Sequence, residues 1–129
     1  MKSAFLLSSE SNLFRLVADV LKADPSCSTR DVEGVVQLVD SEGRLLTVFA
    51  HVDEESAWEF RDGPFVLADE STHVDTSAMT ACVVECRWAD LFVDVVGRLA
   101  DQVPNPLWVL DADGVIWPAA EVDPSRVRL

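Results

Sequence analysis

Val32-Glu33-Gly34-Val35-Val36-Gln37-Leu38-Val39, then Asp40-Ser41-Glu42-Gly43, then Arg44-Leu45-Leu46-Thr47-Val48-Phe49-Ala50-His51-Val52 is the stretch whose reading decides the fold. Two β-rich runs, Val32–Val39 and Arg44–Val52, flank four residues of hairpin-turn chemistry, in which Gly43 can take a positive φ. In the second run Leu46, Val48 and Ala50 alternate with Thr47, Phe49 and His51, so one face is buried and the other half covered. A hairpin means antiparallel pairing, and that sets the class of everything around it.

Working outward, Ser3–Leu7 is a short apolar strand. Ser8-Ser9-Glu10 supplies cap chemistry for a helix from Glu10 to about Lys22, with Leu13, Leu16, Val17, Val20 and Leu21 at helical spacing. Asp24-Pro25 ends it, because proline has no N–H to donate and disfavours helix just before itself. Beyond the hairpin, Asp53–Trp58 reads as a short helix or turn, Asp62-Gly63-Pro64 as a break and Phe65–Ala68 as a brief strand. Asp69–Ser77 is a polar loop and Thr80–Trp88 a strand. Ala89–Val103 is an amphipathic helix with Leu91, Phe92, Val95, Val96, Leu99 and Val103 on one face. Pro104-Asn105-Pro106 stops it, and Leu107–Leu110 and Val115–Trp117 form a last hairpin around Asp111-Ala112-Asp113-Gly114. The order β-α-β-β-(β)-β-α-β-β predicts one α+β domain over residues 1–129, two layers, with a mainly antiparallel sheet and two helices.

Composition agrees. The 129 residues are 49% hydrophobic, which excludes disorder in spite of a net charge of −13. The apolar run near Met1 is only four residues long, too short for a secretory or membrane segment, so the expected location is cytoplasmic, away from membranes. Ten scattered bases against 23 acids argue against a nucleic-acid partner. The odd cysteine count is no disulfide framework. On a strand the Cα atoms of Cys82 and Cys86 stand about 13 Å apart, beyond bridging, and both share a face with Val84 and Trp88. Cys27 sits in a polar loop with no activating base in the nearby sequence.

Candidate chemistry is sparse. Asp111-Ala112-Asp113-Gly114 has the start of a calcium loop, but Val122 stands where the closing Glu belongs, and a hairpin turn explains the residues better. His51 and His73 are the two histidines, and HExxH, CxxC, GxSxG and Gly-rich phosphate motifs are missing from the sequence. The expectation is a binding protein, not an enzyme, with no metal and no cofactor.

The charge has a location. Ala50–Glu85 holds nine acids against Arg61, which is −8 of the −13. Self-repulsion of this kind is destabilising, and it offers solubility and electrostatic steering in return. The candidate partner-binding residues are Asp53, Glu54, Glu55, Glu59, Asp62, Asp69, Glu70 and Asp75, with Trp58 as an anchor and Phe60 beside it. Aromatics ringed by charge are the usual make-up of a protein–protein hot spot.

In size, charge and layout, and in the ending Leu107-Trp108-Val109-Leu110-Asp111-Ala112-Asp113-Gly114-Val115-Ile116-Trp117 with Val122-Asp123-Pro124, the chain resembles small acidic immunity proteins of bacterial polymorphic-toxin and contact-dependent growth inhibition systems. That resemblance implies tight one-to-one binding of a cognate toxin, often a basic nuclease, by a monomer in the cytosol. A small acidic secretion chaperone or adaptor is the competing reading, with the Ala89–Val103 helix serving a dimer. A ligand-binding or enzymatic domain, which needs a deep polar pocket, is the third.

Overall fold

Among the described residues every strand but one pairs antiparallel in a single eight-stranded sheet, so the antiparallel reading extends well beyond the first hairpin. The computed structural model describes residues 3–52, 66–67 and 75–129. The strands are β1 (Ser3–Ser8), β2 (Ser28–Val32), β3 (Val35–Val39), β4 (Leu45–Phe49), β5 (Val66–Leu67), β6 (Thr80–Cys86), β7 (Trp108–Leu110) and β8 (Val115–Pro118). Their spatial order is β2-β3-β4-β6-β1-β7-β8-β5, and only β5 on β8 is parallel. Among the described residues two helices, α1 (Leu13–Lys22) and α2 (Ala89–Gln102), complete an α+β fold.

Both helices lie on one face of the sheet. Leu13, Val17, Ala18 and Leu21 of α1 and Leu91, Phe92, Val95, Val96 and Leu99 of α2 share one apolar core with Leu6, Val36, Leu38, Leu46, Val48, Cys82, Val84 and Cys86. The strand residues recur at every second position, so the pleat sends them all to the helix side. A smaller cluster of Leu7, Leu110 and Ile116, packed by Val52, Leu67, Met79, Ala81 and Trp108, sits on the opposite face.

Three local expectations change. Helix α1 begins at Leu13 rather than Glu10, because Ser8 is still strand, paired with Thr80. The Ser8 hydroxyl does accept the Glu10 N–H at 3.2 Å, but it shapes the turn ahead of the helix and does not cap it. The run Val32–Val39 is two strands: Glu33-Gly34 turns the chain, and Val32 faces Val35 across a tight hairpin. Its first arm, β2, was missed because Ser28-Thr29-Arg30-Asp31 carries no apolar alternation; it is an edge strand with most of its residues exposed. Trp88 does not share the buried face of Cys82 and Cys86. The strand ends at Cys86, and Trp88 caps α2 at 37% exposure.

Candidate functional site

Of the nine candidate partner-binding residues, Asp53, Glu54, Glu55, Trp58, Glu59, Asp62, Asp69 and Glu70 lie outside the described residues, as do Phe60 and His73. Asp75 is described and exposed, and its carboxylate accepts the Ser77 N–H at 3.0 Å and the Ser77 hydroxyl at 2.7 Å. What the fold does fix is where the acidic run is tied. It leaves the sheet after Phe49 at the end of β4, touches it again at β5 on β8, and its far end enters β6 at Thr80; β4 and β6 are antiparallel neighbours. Both tethers therefore sit at the same end of two adjoining strands. His51 is exposed at the first tether.

A second charged feature is an open notch of about 420 Å³ between the end of α1, the β3–β4 turn and α2. Two arginines organise it. Arg44 places Nε 2.8 Å from Asp40 and 3.3 Å from Glu42, and Nη1 2.7 Å from Asp90. Arg98 pairs with Asp24 and lies 3.4 Å from Asp94. The bonds join the turn to the first helical turn of α2, and the loop after α1 to its middle. These exposed and half-exposed pairs contribute more to alignment than to stability, since surface ion pairs are worth only about 0–1 kcal/mol.

Protonation follows from the partners. The Ser26 hydroxyl and N–H, with the Arg98 guanidinium behind them, hold the Asp24 carboxyl well below the usual carboxylate range. Asp40 is lowered chiefly by the Arg44 backbone N–H, and Asp90 chiefly by the Arg44 side chain. Cys27 at the notch donates its thiol to Asp24 at 3.6 Å. Burial pushes the Cys82 thiol up to about 12 and raises Cys86, so these two are structural hydrophobes, as their strand positions predicted. Sequence reasoning passed over the notch, although Asp40–Arg44 and Asp94–Arg98 stand four apart. Spacing gave half of each network; the 46- and 74-residue separations to Asp90 and Asp24 supplied the rest.

Two other expectations meet the structure here. The apolar stripe of Ala89–Val103 is spent inside the molecule, with Leu91, Phe92, Val95, Val96, Leu99 and Val103 all buried, so this helix offers no apolar face to a dimer. Asp111 is a hairpin residue: its carboxylate takes N–H groups from Asp113, Val115, Trp117 and Arg128. No described helix is long and apolar enough to cross a membrane. No protein-family model matches the chain, and neither a curated protein nor a solved structure matches it.

Proposed function

We propose that this chain captures a basic protein partner through its carboxylate surface, as an immunity protein captures a cognate toxin in the cytosol. The observation that carries the reading is the placement of −8 of the −13 charges in Ala50–Glu85, −7 of it between the end of β4 and the start of β6 and the rest Glu85 on β6 itself. Such a field raises association toward about 10⁸–10⁹ M⁻¹s⁻¹ at low salt, against about 10⁵–10⁶ for neutral surfaces. Fast capture is what a protein needs if it must intercept a damaging enzyme. The rim carboxylates of the notch, Glu42, Asp90 and Asp94, extend the field over the helix face.

Affinity purification from the native organism, scored for a basic protein at one-to-one stoichiometry, supplies the partner. Replacing Glu54, Glu55 and Glu59 together by Gln then slows association and flattens its dependence on salt, since the Debye length is about 8 Å at 0.15 M. Association of the triple variant at the wild-type rate at every salt concentration would leave the acids with a solubilising role alone.

A further inference from the structure

One edge of the sheet is β2, Ser28-Thr29-Arg30-Asp31-Val32. All five residues pair with β3 in unbroken register, with no bulge and no proline. The two-residue turn Glu33-Gly34 makes Val32 and Val35 a hydrogen-bonded pair. Bonded and non-bonded pairs alternate along an antiparallel ladder, so Arg30–Gln37 and Ser28–Val39 are bonded as well, and Thr29 and Asp31 fall between them. The main-chain N–H and C=O groups of Thr29 and Asp31 therefore point away from β3, and among the described residues they meet no main-chain partner. Residues 53–65 join β4 to β5 and residues 68–74 join β5 to β6, and those three strands all lie on the other side of β3. Asp31 stands on the helix side, across from buried Val36, and pairs with Lys22 at the end of α1, which ties the edge to the helix. Arg30 stands on the opposite face, exposed, and among the described residues it has no ion-pair partner.

We propose that β2 takes an extended segment of a partner protein along this edge as a further strand of the sheet, with an acidic residue of that segment opposite Arg30. An open edge offers main-chain bonds, which ask only for an extended backbone, and the side chains opposite set the preference. Edges are commonly blunted by bulges, prolines or a covering element. In β2 only the charges remain for that task, and they act against its own copy. Two β2 edges pair antiparallel about a two-fold axis normal to the sheet, which opposes Arg30 to Arg30 or Asp31 to Asp31. Like charges directly opposite destabilise. A register centred on Thr29 runs off the strand and sets Asp31 against Cys27. A foreign segment with a carboxylate at the central place instead meets Arg30 with the opposite sign. No part of this uses the acidic run, so the proposal stands apart from capture by charge.

The probe is the synthetic peptide Thr-Val-Lys-Glu-Thr-Val, blocked at both ends. Laid antiparallel on β2, it sets its lysine against Asp31 and its glutamate against Arg30. At about millimolar peptide it should shift the amide resonances of Ser28–Val32 and slow hydrogen exchange at Thr29 and Asp31 by about tenfold. N-methylation of the peptide's lysine and second threonine, the residues facing Asp31 and Thr29, removes the donors and should abolish that protection. Replacing the peptide's glutamate by lysine should weaken binding to wild type, and Arg30→Glu in the protein should reverse the preference between the two peptides. A purely structural role for Arg30 would leave that preference unmoved. Absence of shifts on β2, equal binding of the N-methylated peptide, shifts confined to the notch, or an unchanged preference in Arg30→Glu overturns the proposal. Capture is judged separately, by the dependence of association rate on salt.

Discussion

Asp40-Ser41-Glu42-Gly43 and Asp111-Ala112-Asp113-Gly114 close two hairpins with the same set of hydrogen bonds. In each, the glycine N–H reaches the aspartate carbonyl at 3.1 Å, and the aspartate N–H reaches the carbonyl of the residue after the glycine, at 3.1 and 3.0 Å. One oxygen of each carboxylate accepts the N–H groups two and four residues on, at 3.0 and 2.8 Å for Asp40 and at 2.9 and 3.0 Å for Asp111. The second oxygen separates them. In Asp40 it faces the Arg44 guanidinium at the notch, 2.8 Å away. In Asp111 it takes the Trp117 indole N–H at 3.0 Å and the Arg128 backbone N–H at 3.2 Å. Local chemistry makes both turns, and distant residues decide whether the carboxylate belongs to the surface or to the core.

Removing each carboxylate should break the likeness most visibly. Asp111→Ala leaves four N–H groups without their acceptor in a site that is 5% exposed, two of them on distant residues that it ties together. Each buried donor left without its acceptor costs about 1–3 kcal/mol. Asp40→Ala should cost a small fraction of that, since Arg44 keeps Asp90 and Glu42 and water reaches the turn. Urea denaturation of the two variants checks the ordering, and equal losses would mean that Asp111 is no more than a turn residue.

The glycines should instead behave alike. Gly43 has φ +79° and Gly114 φ +78°, and a Cβ built on either meets no atom within 4 Å. The cost of alanine there is therefore backbone strain alone, about 1–2 kcal/mol at each position. Matching losses in Gly43→Ala and Gly114→Ala would confirm that the turns are equal as backbone. A much larger loss at Gly114 would place tertiary contacts in the backbone as well as in the carboxylate.

This pair also marks what could be read in advance. Both turns were legible because Asp and Gly at fixed offsets between apolar runs are a local signal. The helix cores Leu13–Lys22 and Ala89–Gln102 and the buried alternation of Cys82, Val84 and Cys86 were legible for the same reason, as periods within one element. Glu33-Gly34 was overlooked even though Gly34 marks the turn, because the valines on both sides read as one strand. The notch and the meeting of β4 with β6 are products of the long-range topology. Asp24 and Arg98 meet across 74 residues, and Phe49 and Val83 only through the β4–β6 pairing. The acidic run stood out as charge, but where it is tethered came from the topology.

The smallest expected effect is on the acid side, and it sharpens the contrast between an open carboxylate and an enclosed one. Asp24, Asp40 and Asp90 around the notch are all held below the ordinary carboxylate range by hydrogen bonds and by the two arginines. In the unfolded chain such groups titrate near about 3.9. The folded state thus binds fewer protons than the unfolded one as pH falls through that value, and protonation favours unfolding. Stability contributed by the notch is in full force above about pH 5 and is lost progressively as pH drops through 4 toward the lowered folded values. Asp24 has the deepest shift, because Ser26 supplies both a hydroxyl and an N–H to one oxygen while Arg98 holds the other. In Asp24→Asn the amide oxygen still accepts from Ser26 but carries no charge for Arg98. That variant should be slightly less stable than wild type at neutral pH, and its denaturation midpoint should fall less steeply below pH 4. A D24N midpoint that tracks the wild-type curve in parallel down to pH 3 would show that the acid slope comes from carboxylates elsewhere.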